Sequence, residues 1–170
     1  MGQLNFYTPM NHIFNTTLRF TNGTLIFGPI SPQESISWNI LNLPFSNASG
    51  SKTLSIGLYS LNGGTLSLAN SASRNLTGAA AGWLSITDTS ATQNITPGNW
   101  WLGIVISTSG TSNFSISGAT LAALLNAFPG GFIGGRMTDS TNALPSSYVT
   151  SDLDTTGNDA IFSPNIILSA

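Results

Sequence analysis

Charge is what this chain has least of. Only 6% of its 170 residues are Asp, Glu, Lys or Arg, against roughly 25% in an ordinary soluble domain. The four basic residues, Arg19, Lys52, Arg74 and Arg136, are scattered along the chain. They cannot build the basic stripe that tracks a phosphate backbone, which argues against nucleic acid as a partner. A net charge of -2 gives little long-range steering. Recognition therefore has to rest on shape, apolar contact and neutral hydrogen bonds.

Other absences narrow the chemistry. There is no cysteine, so disulfides and thiolate metal sites are excluded. There is one histidine, His12, and one glutamate, Glu34. A Ser-His-Asp triad would have to recruit His12, and no nucleophile-elbow sequence accompanies it. A two-carboxylate hydrolase would need Glu34 opposed to an Asp across a cleft, and the spacing does not suggest one. The expectation is that the chain is not an enzyme and uses no cofactor. The N-terminus lacks the basic start and apolar run of a signal peptide. The longest apolar stretches, Trp100–Ile106 and Leu121–Leu125, fall well short of the roughly 20 residues a spanning helix needs. No membrane association is expected.

What is present is apolar alternation. Apolar residues make up 41% of the chain, enough for a folded core. In Ser35–Ile40, the residues Ile36, Trp38 and Ile40 share one face. In Thr53–Ser60, Leu54, Ile56 and Leu58 point inward. Asn62-Gly63 is a hairpin signal, since both residues tolerate positive φ, and Thr65–Ala69 is the return strand. Trp83–Thr87 is a short strand. Pro97-Gly98 marks a turn that launches Trp100–Ser107, apolar on both faces and so a central strand covered on two sides. Phe114–Ser117 follows.

The ends differ. A hairpin is expected over Thr17 to Phe27, turning at Asn22-Gly23, with an extended arm before it. Ala119–Phe128 is the one helix candidate, stopped by Pro129-Gly130-Gly131. Beyond it a Gly-, Ser- and Asp-rich loop runs to Ser163, and Ile166–Leu168 closes the chain as a strand. Short strands with frequent turns indicate an all-β, antiparallel β-sandwich, of jelly-roll type, with one short helix. It is a single domain: 1–33 arm and hairpin, 34–118 sandwich core, 119–159 helix and loop segment, 160–170 closing strand.

Three motifs invite a functional reading. Asp152-Leu153-Asp154-Thr155-Thr156-Gly157 opens like a calcium loop. Asp159 then stands where an apolar residue belongs and Ser163 where a bidentate Glu belongs, so the segment reads as a solvated turn and no metal is expected. Asn-x-Ser/Thr triplets occur at Asn15, Asn22, Asn47, Asn75, Asn94 and Asn113. About four or five arise by chance in so Asn- and Ser/Thr-rich a chain, so they read as composition. Of Trp38, Trp83, Trp100 and Trp101, Trp38 alternates with core positions. The adjacent pair Trp100 and Trp101 must face opposite sides, leaving one ring for a glycan if only one sheet face is covered.

The run Ile56-Gly57-Leu58-Tyr59-Ser60-Leu61-Asn62-Gly63-Gly64-Thr65-Leu66-Ser67-Leu68-Ala69, followed by Pro97-Gly98-Asn99-Trp100-Trp101-Leu102-Gly103-Ile104, resembles hairpins and strand starts of tailed-bacteriophage structural proteins. The likeness covers about residues 35 to 117. It implies a virion structural protein on the capsid surface, made in the host cytoplasm: a capsid cement or decoration protein. The implied partners are the major capsid protein and copies of itself, with a homotrimer as the expected assembly. The alternative it implies is a tail-fibre or head-fibre module that binds a receptor or carbohydrate. Candidate interface residues are Phe14, Phe20 and Phe27 of the arm and Phe128 and Phe132 of the 119–135 segment, because aromatic anchors bury well at neutral interfaces.

Overall fold

A computed structural model of the chain describes residues 4–5, 16–20, 25–30, 35–38, 40–48, 52–76, 82–87, 93–98, 100–108, 114–119, 135–137, 142–153, 163–164 and 167–169. They form antiparallel strands, and among them there is no α-helix. Two larger sheets and a two-stranded ribbon account for all the strands.

One of the two large sheets has six strands. Its centre is Trp100–Thr108 (β10), flanked by Leu25–Ile30 (β3) and Lys52–Asn62 (β6). Thr65–Asn75 (β7) pairs with β6, and the edges are Gly135–Met137 (β12) on β3 and Ser147–Val149 (β13) on β7. Trp101, Leu102, Ile104, Val105 and Ile106 are all buried. An uninterrupted apolar run thus becomes a central strand covered on both faces, as its composition indicates.

The β6–β7 hairpin forms where the alternation places it, with its turn one residue later than the Asn-Gly signal. Asn62 pairs with Thr65. The two turn residues are Gly63 at φ +55° and Gly64 at φ +83°. Positive φ at both positions matches the right-handed twist of the flanking strands. The return strand also runs on to Asn75. Leu58 pairs with Asn70 and Tyr59 with Leu68, so Ala69 is an extra, bulged residue.

Paired residues point to the same side of an antiparallel sheet, so the register defines two faces. One is aliphatic: Ile26, Leu54, Ile56, Leu58, Leu102, Ile104 and Ile106, all buried. Each such side chain contributes roughly 1.5–3 kcal/mol on leaving water. The other is aromatic and holds Leu25, Phe27, Tyr59, Leu66, Trp101 and Val105, with Leu153 packed onto them. Tyr59, which strict alternation would turn outward from Leu54, Ile56 and Leu58, is therefore as buried as they are.

The second sheet has seven strands. Ile40–Ala48 (β5) pairs with Gly82–Thr87 (β8), Phe114–Ala119 (β11) and Ile167–Ser169 (β15). Thr16–Phe20 (β2) and Ser163–Pro164 (β14) pair with β11, and Leu4–Asn5 (β1) with β15. The ribbon joins Ile36–Trp38 (β4) to Gln93–Ile95 (β9). The Arg74 guanidinium on β7 donates to the carbonyl of Ser85 on β8, linking the two large sheets.

Four expectations change. Thr17 to Phe27 is not a hairpin: β2 joins one sheet, paired with β11, and β3 joins the other, paired with β10. Ser35–Ile40 is not one strand, since β4 and β5 lie in different sheets. The stretch after Pro129 is not loop throughout, because it supplies both edge strands of the six-stranded sheet and a 3-10 turn, Thr150–Asp152 (η1). Ala119 ends β11, while the rest of the expected helix, 120–128, lies outside the described residues.

Candidate functional site

The sequence-derived anchors separate once placed in the fold. Phe27 is 0% exposed. Its ring meets Tyr59 edge-on at 5.0 Å and stacks on Tyr148 at 5.7 Å. This corrects its assignment to the interface: Phe27 is consumed by the chain's own core. Phe20 lies on β2 opposite Phe114. Phe14, Phe128 and Phe132, with His12, Glu34 and Asp154 to Asp159, lie outside the described residues.

The aromatic face is built around a pair of glycines. Gly57 and Gly103 sit opposite each other on β6 and β10, and the Tyr59 ring lies across them. A Cβ at Gly103 would come 2.7 Å from Tyr59 Cε2, and one at Gly57 would come 2.7 Å from Leu68 Cδ1 and 2.8 Å from Tyr59 Cε2. The missing side chains make the space for the ring. Burial pushes the Tyr59 phenol above its ordinary pKa. Residues 142–153 close over this face. Tyr59 donates to the carbonyl of Pro145 at 2.9 Å, and Tyr148 donates to that of Asp152 at 3.1 Å. The motif that suggested a kinship is thus occupied with packing: Gly57, Tyr59, Leu66 and Leu68 all face this core.

Charged side chains are few and dispersed. Where side chains are described, they are Lys52, Arg74 and Asp152. Lys52 is buried at the end of the aliphatic face, and desolvation lowers its ammonium pKa. Asp152 Oδ1 accepts from Ser151 Oγ at 3.2 Å. Among the described residues no three His, Cys, Asp or Glu side chains gather where they could hold a metal ion, and no helix is long and apolar enough to cross a membrane.

The surface that remains is uncharged. On the side of the aliphatic face, beyond its buried stripe, Trp100 pairs with Ser60, Ser60 with Ser67, and Ser67 with Ser147. The next row outward is Asn62, Thr65 and Val149. Ser67, Ser147, Asn62 and Val149 are exposed, while Trp100, Ser60 and Thr65 are half-buried. The Trp100 indole donates to the carbonyl of Thr96 at 3.0 Å, which fixes its ring beside the Pro97-Gly98 turn. Both tryptophan alternatives are thus partly met, with Trp101 fully in the core and Trp100 at the margin. Sequence reading missed this row because hydroxyl side chains on a strand look like ordinary solvent-facing residues, and lateral register is invisible in one dimension. Asn75 lies exposed at the end of β7, while Asn47 and Asn94 are strand residues.

No protein-family model matches this chain, and no curated protein matches it.

Proposed function

We propose that the chain is a non-enzymatic structural protein of a virion, acting as a capsid cement or decoration protein that braces neighbouring major capsid subunits. One observation carries the reading: where side chains are described, the only charged residues on the surface are Arg74 and Asp152. Such a surface suits apposition to another neutral protein surface. The resemblance over residues 35 to 117 supports the same class of protein. In this reading the two large sheets are layers of a jelly-roll-like sandwich, with the aliphatic face turned to the seven-stranded sheet and Arg74 bonded across to Ser85. Copies of the chain associate with one another as well as with the shell, a homotrimer being the arrangement to test by mass measurement.

The deciding experiment is co-purification with intact particles, with copy number measured. A number matching shell positions supports the cement role. Absence from purified particles, or substrate turnover that is lost in His12→Ala or Glu34→Ala, defeats it.

The Trp100 row favours a second reading, a head-fibre or tail-fibre module that binds a neutral glycan. A ring flanked by Ser and Asn side chains can stack on a sugar and hydrogen-bond its hydroxyls. A copy number matching the tail, together with glycan-induced change in tryptophan fluorescence that Trp100→Ala removes, would select it over cement.

A further inference from the structure

Residues 142–153 contribute little structure of their own. They run as a short edge strand and a 3-10 turn, fastened to the β6–β7 hairpin by several hydrogen bonds. Leu68 N–H donates to the carbonyl of Ser146 at 2.9 Å. Thr150 donates twice to the carbonyl of Gly64 in the hairpin turn, through its N–H and its Oγ1, each at 2.8 Å. Tyr59 OH holds Pro145. Leu153 then seats among Leu25, Phe27, Tyr59, Leu66, Trp101 and Val105, with Leu144 and Tyr148 packed against them.

The start of the segment is biased the other way. Asn142 has φ +54° and is the only described non-glycine residue with positive φ. Among the described residues its Oδ1 is buried with no hydrogen-bond partner. A desolvated carbonyl without a donor opposes closure, and exposure to water removes the penalty.

We propose that residues 142–153 form a strap that opens and closes over the aromatic face as one cooperative unit, hinged at Asn142 and fastened by Tyr59 and Gly64, while the β3–β10–β6 sheet beneath stays folded. The strap is held by a three-residue edge strand and a handful of bonds. The sheet beneath it is held by six residue pairs between β10 and β3 and nine between β10 and β6, against three between the strap and β7. Elements with so few cross-strand bonds belong to the low-stability end of a structure and detach first. Opening uncovers Phe27, Tyr59, Leu66 and Trp101 together, because the strap covers them together.

Native-state hydrogen exchange on the full chain tests this. The amides of Leu68 and Thr150, which report the two fastenings, are expected to exchange at matching opening free energies, and at least about tenfold faster than those of Ile104 and Val105. Ser67 and Ser147 are opposed in a non-hydrogen-bonded pair, a geometry compatible with a disulfide. Oxidised Ser67→Cys/Ser147→Cys is expected to slow the strap amides to the rate of β10, and reduction of the same sample to restore them. Asn142→Gly, which keeps the backbone conformation and removes the orphan carbonyl, is expected to slow strap exchange about severalfold. Strap amides that exchange with β10 in the unmodified chain, or that ignore oxidation of the cysteine pair, would overturn the strap. An unaltered rate in Asn142→Gly would overturn the hinge.

Discussion

The Tyr59 hydroxyl reaches the carbonyl of Pro145 at 2.9 Å, across 86 residues of sequence. The same ring lies on Gly57 and Gly103 and meets Phe27 edge-on. One side chain thus joins the hairpin, the central strand and the covering segment.

Removing only the hydroxyl separates these roles. Tyr59→Phe is expected to cost about 0.5–1.5 kcal/mol, since the ring stays and one neutral hydrogen bond is lost. Tyr59→Ala is expected to cost about 3–5 kcal/mol by opening a cavity over the glycine pair. Urea midpoints of the two variants measure the difference, and equal losses would show that the ring contributes nothing beyond its hydroxyl.

Filling the space beneath the ring has the opposite geometry and the same sign. Gly103→Ala puts a methyl 2.7 Å from Tyr59 Cε2 and 3.0 Å from Phe27 Cε1, and should destabilise by about 1–3 kcal/mol. Most of that cost should vanish in a Tyr59→Ala background. A double-mutant cycle measures the coupling, which should exceed about 0.5 kcal/mol.

The hairpin turn offers a cleaner backbone test. Gly63→Ala forces an L side chain into φ +55° and should cost about 1–2 kcal/mol, whereas Gly63→Asn should cost much less. Thermal denaturation compares them. Asn-Gly at 62–63 announced a turn correctly, yet its position was off by one because Gly64 also accepts positive φ and Asn62 has a strand partner in Thr65. Local chemistry can say that the chain reverses without saying at which residue.

The same limit explains the other differences between sequence and fold. The β6–β7 hairpin and β10 were legible because long alternation or a long apolar run outweighs local noise. Asn22-Gly23 looked like a hairpin too, but β2 and β3 each pair elsewhere, a choice made by distant strands. The three-residue strands β12 and β13 are too short to show a period. The candidate surface was the least legible part, since Trp100, Ser60, Ser67 and Ser147 become neighbours only through register. Two glycines in apolar strands, Gly57 and Gly103, were the one available sign that a ring lies close by.

The adjacent tryptophans should behave very differently. Trp101 is buried in the aromatic core, so Trp101→Ala should cost about 3–5 kcal/mol. Trp100 is half-buried at the sheet margin, and Trp100→Ala should cost about 1 kcal/mol. Comparable losses in chemical denaturation would contradict this placement.

Alkaline titration should reveal two buried groups with opposite effects. Burial pushes the Tyr59 phenol above its ordinary 10.0. Its contribution is complete below that value, and stability falls as pH rises beyond it, because the unfolded chain ionises first. Burial pushes the Lys52 ammonium below its ordinary 10.5. In the window just beneath that value the unfolded chain binds more protons, so stability rises with pH. Unfolding free energies from neutral pH to about pH 11 should show a rise that Lys52→Met abolishes and a later fall that Tyr59→Phe reduces. Unchanged slopes in both variants would refute the assignment.

The surplus residue Ala69 leaves the two halves of β7 out of phase, so that Leu68 belongs to one compartment of the molecule and Asn70 to the other. A single ribbon is therefore addressed to both sides at once. Deleting one residue at that point would bring the halves into step and force the strand to serve one compartment at the expense of its opposite, which makes the length of this segment as strictly constrained as any side chain in it.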